Sequence, residues 1–420
     1  MSVLLITSDY MRKFCQVKVN KKLLVLAAGI LQVPVIKKAR EMGCYVIAAD
    51  GDAAAIGLPM ADKSIVANIT SEDEMLCIAR EEQVDGVIHP CSEVAMNVMG
   101  RINDDLGLSG ISLDTAIRAT DKHLMREAFE RYGAPSPKSF FTQDVEAAWL
   151  VFCEKFQCCA ILKPSRNSGS RGVAKIEKGI SKEHFEKFYL RALNESRDRS
   201  VLIEQFVEGP EFSVEVIVWQ GEAHVLTVTD KKTTGAPYFV ELGHNQPSVF
   251  PEKIQQKLKE GAIAGVKALG LDNCAAHCEL KWQDGVPYLM EIGARLGGDF
   301  ISTELTHLST GIDMVAAAID VAMGIEPDLK PKEEPKGACI RYFTPKPGRL
   351  TAISNTELFK APYVYDAEIY HQVGDMIPEV RSSLDRSGHV IVTGRTANEA
   401  IERANTIIDN VVFETEKVYV

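Results

Sequence analysis

The chain has 420 residues, 46% of them hydrophobic and 25% charged, and carries a net charge of −11. That length exceeds one ordinary core and implies two to four globular domains. The acidic balance argues against a nucleic-acid or anionic-membrane binder, and no run of about eighteen apolar residues is present to span a bilayer. Residues 1–20 have an apolar patch but neither a cationic stretch before it nor a small-residue cleavage site, so they read as an extension or extra strand, not a signal peptide. The expected location is the cytoplasm. The ten cysteines are scattered without a paired Cys-x-x-Cys framework and fit reduced, buried thiols; Cys274 and Cys278 have a metal-like spacing but no partner ligands.

In chain order, residues 23–27 read as a buried strand that turns through Gly29 into a helix with Val35, Ile36 and Ala39 inward. Residues 45–49 form a second strand ending at Asp50, completing a β-α-β unit of a parallel sheet. A helix over 71–82, a strand over 86–89 and the segment 106–112 finish this region. The first turn, A-A-G-I-L-Q-V, has one glycine where a dinucleotide fingerprint needs three, so the carboxyl ends of these strands are left for substrate and not for a nicotinamide cofactor. A helical pattern covers 115–132 and stops at Gly133-Ala134-Pro135-Ser136-Pro137. Strand 160–164, a helix near 182–194 and strands 201–206 and 211–218 follow, the last pairing with 223–229. Then come a helix over 251–269, the hairpin 277–299 and a helix over 311–323. The proline- and charge-rich stretch 328–335 reads as a linker to a small α+β domain, 337–420, closed by a helix over 397–410.

Three stretches carry chemistry. ILKPSRNSGSRGV (161–173) places Lys163 at the end of an apolar strand, before a loop with Ser168, Gly169 and Gly172. Such a loop offers backbone N–H groups to phosphate oxygens while the lysine supplies a point charge; the plainer alternative is a surface loop. VLIEQFVEGPEFSV (201–214) leaves a strand through Glu204, Phe206 and Val207 before Glu211, an arrangement able to offer backbone groups to an adenine edge and a carboxylate to ribose. HCELKWQDGVPYLMEIGARLGGD (277–299) reads as a hairpin around Asp284-Gly285. An odd-length loop would set Glu279 and Glu291 on one face, with Leu289, Glu291, Gly293 and Arg295 together; a two-residue loop would set the two glutamates on opposite faces. Paired carboxylates suit Mg²⁺ delivered with nucleotide phosphates, or else belong to a solvated acidic hairpin.

The ordered set Lys122, Lys163, Glu204–Val207, Glu211, Glu279 and Glu291 resembles the ATP-grasp superfamily over roughly residues 20–420. Within it the chain is most similar to the L-amino-acid ligases (dipeptide synthases), whose small closing domain RYFTPKPGRLTAI and DRSGHVIVTGRTANEA resemble. The resemblance implies a mixed α/β and α+β ATP-grasp fold. Its expected parts are an extension over 1–20, a parallel-sheet domain over 21–115, an ATP-grasp region over 116–330 with antiparallel sheets and a small lobe near 135–207, and a closing domain over 331–420. It further implies that Lys122 and Lys163 contact phosphates, with Ser168, Gly169 and Gly172 in the loop over them. Glu204, Phe206 and Val207 would read adenine, Glu211 would hold ribose, and Glu279 and Glu291 would hold one or two Mg²⁺ ions, Mn²⁺ being an acceptable substitute.

Arg295 would stabilise charge in the transition state, Glu241 and His244 would lie beside the reacting carboxylate, and Glu93 would reach toward the amino substrate. Gly298 and Asp299 would shape the substrate pocket, Asp299 either favouring a cationic or hydroxylated substrate or capping the next helix. One departure is Gly293, where most of the family has Asn, which leaves a second magnesium short of a ligand. The implied activity is ATP-dependent amide formation from small-molecule carboxylate and amine substrates, with no nucleic-acid or membrane partner and with a homodimer allowed. Alternatives are a ligase for a nucleotide-biosynthetic or sugar-linked carboxylate, an NAD(P)-dependent oxidoreductase, and a non-catalytic nucleotide-binding protein.

Overall fold

The computed structural model describes residues 21–156, 159–166, 172–236 and 238–417. The expected extension over 1–20 and the loop residues Ser168 and Gly169 lie outside the described residues. The described chain opens with a four-stranded parallel sheet in the order β3 (Lys63–Val66), β2 (Tyr45–Asp50), β1 (Lys22–Leu26) and β4 (Gly86–Ile88). Its first helix, Val33–Glu41, buries Val35, Ile36 and Ala39 as their spacing predicts. The turn after β1 is closed by the chain itself: the Gln32 side chain donates to the Pro90 carbonyl, and Gly57 N–H donates to the Ala28 carbonyl. The segment 106–112 adds no strand; helix Met96–Leu106 ends there on Gly107 at positive φ.

The helical stretch expected over 115–132 is two helices, Leu113–Thr120 and Lys122–Tyr132. Asp121 breaks it by adopting an extended conformation, and its carboxylate then accepts from the His123 and Leu124 N–H groups as the N-cap of the second helix. A second, antiparallel sheet runs β5 (Ser139–Thr142), β8 (Val201–Gln205), β6 (Cys159–Pro164), β7 (Ala174–Glu177), with Phe152, Phe185 and Tyr189 packed beneath it.

The centre is an eight-stranded sheet in the order β13 (Val286–Gly293), β12 (Cys274–Gln283), β9 (Glu211–Trp219), β10 (Glu222–Thr233), β11 (Glu241–Gln246), β14 (Gly337–Tyr342), β18 (Gly388–Gly394) and β16 (Val364–Ile369). One face buries Phe212, Val214, Cys278, Leu280, Leu289 and Ile292 against helix Glu252–Leu269. The strand after the linker therefore continues the central sheet through β11–β14 pairing. Nor does helix Ala397–Asn410 close the chain: it leads into β19 (Val412–Glu416), which joins β15 (Gly348–Ser354) and β17 (Met376–Ile377) in a small third antiparallel sheet. No helix among the described residues is long and apolar enough to cross a membrane.

Candidate active site

The site is the other face of the central sheet, and two irregularities in strand pairing build it. The hairpin turn is the two-residue kind, since Gln283 pairs with Val286 and both Asp284 and Gly285 have positive φ. Strict alternation from that turn would send Glu279 and Glu291 to opposite faces, so neither loop length by itself is how they meet. A β-bulge at Met290 inserts one residue between the Leu280↔Leu289 and Glu279↔Glu291 pairs. Leu289 consequently faces the core, whereas Glu291 and Gly293 face the site. The expected grouping of Leu289 with Glu291 is thus broken by the bulge. Arg126, from helix Lys122–Tyr132, fixes this geometry by donating to the Met290 carbonyl at 2.6 Å. The Leu289 N–H finds the Pro135 carbonyl instead of a strand partner.

The second irregularity lies in β10–β11, where the register shifts between Lys232 and Thr233. Thr233 pairs with Glu241 and Lys231 with His244, so Glu241, His244 and Lys231 share the face that carries Glu279. In cross-sheet order that face presents Glu291, Glu279, Glu211, Lys231 and Glu241.

Two connected hollows lie over it. The apolar one is walled by Ile161, Phe206, Val207, Leu280 and Met290, with Lys163, Glu211 and Lys281 around it. Glu211 pairs with Lys281 at 2.9 Å, and Lys175 stands 4.5 Å from the Phe206 ring centroid. Its walls are largely apolar, and the Glu211–Lys281 pair stands at its edge. Glu204 is placed differently from a residue that reads a ligand with its side chain. It is 1% exposed, and its two oxygens are held by Arg126 at 2.8 Å and Lys163 at 2.6 Å. Burial opposes its charge, but these two cations hold its carboxyl below the ordinary value. Gly172 marks the end of the loop after Lys163, at positive φ and pressed against Pro164 and Glu195.

The polar hollow is lined by Glu93, Glu241, Glu279, Glu291, Gly293 and Arg295, with Arg381, Ser382 and Ser383 of the carboxy-terminal part on its rim. Glu93 arrives from the loop after β4, at the carboxyl end of the parallel sheet. It pairs with Arg295 at 2.5 Å, and this guanidinium holds the Glu93 carboxyl below its usual value. Ser383 donates to Glu241 at 3.1 Å. His277, which was not singled out for a role, sits beneath Glu279. Burial pushes its imidazole down, yet the Glu215 and Glu279 carboxylates at 2.7 and 3.4 Å outweigh this and raise it to about 9. Gly297 must be small here, because a Cβ would stand 2.6 Å from His277 Nδ1.

His244 and Asp299 lie behind this hollow. His244 is 1% exposed, with Nε2 3.4 Å from Asp299. Both Asp299 oxygens accept from Arg386, at 2.7 and 2.8 Å, and that guanidinium stacks 3.6 Å from the Tyr342 ring centroid. Asp299 does not cap the following helical turn, which has no side-chain cap. Instead it ties the end of the hairpin to the carboxy-terminal part. Gly298 is in open space.

The donor set fits a divalent cation. Glu279 and Glu291 are direct cross-strand partners. Lys231 approaches Glu279 Oε1 at 2.9 Å and Lys122 approaches Glu291 Oε1 at 2.9 Å; among the described residues neither Oε2 has a hydrogen-bond partner. Two unoccupied carboxylate oxygens side by side are hard ligands of the kind that Mg²⁺ shares with phosphates and water. Among the described residues no cluster of three or more His, Cys, Asp or Glu is available, so phosphate and water would have to complete the coordination. Lys231, Arg126 and Arg386, none of which was singled out from the sequence, are the cations that organise this surface.

Comparison with known proteins adds independent information. Residues 156–304 match the ATP-grasp domain, and residues 341–416 match the L-amino acid ligase C-terminal domain 2. The chain is 29% identical over 259 residues to alanine–anticapsin ligase of Bacillus subtilis (strain 168), covering 57% of this chain and 54% of the relative. Matches to the first curated relatives span 54% to 65% of their length. Among solved structures, an L-amino acid ligase from Bacillus licheniformis superposes with a TM-score of 0.80 at 22% identity, over 95% of this chain and 100% of that one. Phosphoribosylglycinamide synthetase from Anaerococcus prevotii gives 0.76 at 25% identity, over 94% and 100%.

Proposed function

Because the chain carries an ATP-grasp domain followed by the carboxy-terminal domain of the L-amino acid ligases, and so belongs to the ATP-grasp ligases, we propose that it joins a carboxylate to an amine at the expense of ATP. The carboxylate is of the amino-acid class, the product is a dipeptide or related amide, and ADP and phosphate are released. The observation that carries this reading is the Glu279–Glu291 pair, whose open oxygens face a hollow lined by both anions and Arg295 and adjoining an apolar cleft.

A free carboxylate is a poor electrophile. Transfer of the γ-phosphoryl group makes an acyl phosphate, which an amine then attacks as phosphate departs. Such transfer depends on positioning and charge neutralisation more than on covalent help from the protein. Lys122 and Lys163 bind phosphate oxygens in this scheme, and Arg295 faces the charge that builds on the acyl group. Magnesium held at Glu279 and Glu291 would neutralise the polyphosphate. Glu93 or Glu241 receives the proton lost by the ammonium, because both line the hollow whereas His244 lies behind it. The rim residues Arg381, Ser382 and Ser383 limit access of water to the acyl phosphate.

Purified protein incubated with ATP, Mg²⁺ and pairs of amino acids should release phosphate, and mass detection should find the amide. No release above background over the whole panel removes the amino-acid reading. The likeness to phosphoribosylglycinamide synthetase supports a second reading, a ligase acting on a nucleotide-biosynthetic or sugar-linked carboxylate. A panel widened to such carboxylates separates the two.

A further inference from the structure

We propose that Lys231 is a resident cation at the acidic pair, taking the place of a second divalent ion, so that the chain binds one metal ion with its nucleotide and not two. This deepens the function proposed above and rests on it.

The argument starts from how the carboxylate oxygens are occupied. Lys231 is on β10 and its side chain is 5% exposed, so its ammonium has little solvent to return to. It lies 2.9 Å from Glu279 and 3.5 Å from Glu241, two carboxylates borne by different strands of one rigid sheet. His277 Nε2 approaches the same Glu279 Oε1 at 3.4 Å. Oε2 is thereby the Glu279 oxygen that a metal can take without competing with Lys231 and His277. Glu291 likewise has Oε1 on Lys122 and Oε2 open. One oxygen from each of two facing strands makes a shared site for one small ion, and Mg²⁺ readily completes its shell with phosphate and water.

A second ion would need either the Oε1 atoms or another ligand. The side chain at position 293 cannot supply one, because it is glycine. Its place is taken by Arg295, whose side-chain atoms lie 3.1–3.2 Å from where a Cβ at 293 would stand. Lys122 differs from Lys231 in its surroundings. It begins a helix outside this sheet and faces the solvent-side hollow with Ser92 and Arg166, so it can turn to a phosphate and release Glu291. Lys231 borders the apolar hollow from the sheet face, held there between Glu279 and Glu241, and would supply a point charge in place of a second ion.

The test counts metal ions directly. Mn²⁺ bound per chain is measured by electron paramagnetic resonance of the free ion, at saturating non-hydrolysable ATP analogue, for the unaltered protein, Lys231→Met and Lys231→Arg. The expected result is one ion for the unaltered protein and for Lys231→Arg, and two for Lys231→Met. The arginine variant, which keeps the charge, controls for misfolding. Two ions in the unaltered protein, one in Lys231→Met, or two in Lys231→Arg overturns the proposal while leaving the ligase reading intact. Failure of the unaltered protein to bind Mn²⁺ and analogue together removes both.

Discussion

Two acidic clusters stand on either side of the cleft, built from the same residue types, and they do opposite things. At Glu204 a single carboxylate is clamped by Arg126 and Lys163, both oxygens are occupied, and 1% of the residue is exposed. At the hairpin, Glu279 and Glu291 each hold one lysine, keep one oxygen open and remain 35% and 29% exposed. In the first cluster both carboxylate oxygens are paired within the protein, whereas in the second one oxygen of each glutamate has no hydrogen-bond partner among the described residues. Charge alone does not separate them; burial and the count of occupied oxygens do. The clusters are also linked mechanically, since Arg126 holds Glu204 with one part of its guanidinium and the Met290 carbonyl with another. The closed cluster therefore holds the bulge that creates the open one.

The contrast is broken most severely by Glu204→Ala. It leaves two cations buried without a counter-charge, and breaking a buried pair in this way costs about 3–5 kcal/mol. Denaturant unfolding should show that loss; a change below about 1 kcal/mol, the scale of an exposed pair, would mean that the cluster is not closed as described. Glu291→Ala should do the reverse. Its partner Lys122 has a solvent-side hollow to turn into, so the unfolding midpoint stays near that of the parent protein. Phosphate release should fall by about 10²–10³, the usual effect of removing one electrostatic contact from a transition state. If both variants lose stability equally and activity equally, the two clusters are not distinct.

Much of this organisation was legible in the sequence, and the misreadings have identifiable causes. Roles for Lys122, Lys163, Glu211, Glu279 and Glu291 were implied only by the resemblance to the ATP-grasp superfamily, whereas the β-α-β opening and the hairpin follow from apolar periodicity and turn residues. The two bulges do not, because an inserted residue such as Met290 has no compositional mark. Turn length alone offered one face for an odd-length loop and opposite faces for a two-residue loop, and neither option contains the bulge that brings the two carboxylates together. Asp284-Gly285 is the ordinary two-residue turn, and the shift comes six residues later. The helix break at Asp121 was missed because the apolar pattern continues across it. Lys231 and Arg386 were missed for another reason. A lysine near a strand end or an arginine before Ser387 reads as surface, and only side-chain partners far along the chain, Glu279 for Lys231 and Asp299 for Arg386, place it in the site. Of the two readings of Asp299 only the helix cap is excluded, and its partner Arg386 is 87 residues away.

The same count of occupied atoms makes a milder prediction at His89. This residue is 1% exposed behind the Glu93–Arg295 pair, and both ring nitrogens are engaged, Nδ1 with the Leu26 carbonyl and Nε2 with the Ala95 N–H. The Ala95 donor fixes the neutral tautomer, with the proton on Nδ1. Burial pushes the imidazole down to about 4, against the partial opposition of the Leu26 bond and Glu93, with Arg295 adding to the lowering. An unfolded histidine titrates near ~6.5. Between these values the unfolded chain binds the extra proton, so the contribution of His89 is complete above about pH 6.5 and is lost as pH falls through 4. At pH 5 the loss amounts to about 2 kcal/mol. Protonation at Nε2 ejects the Ala95 N–H, and Ala95 anchors the loop that carries Glu93 to Arg295, so acid loosens that wall of the hollow first. Denaturant unfolding of the parent protein and of His89→Gln at pH 7 and pH 5 isolates this residue from the carboxylates titrating nearby. The parent protein should lose more stability than the variant across that interval by roughly the stated amount. Equal losses would place His89 with the open cluster, as a group whose charge is accommodated and not excluded.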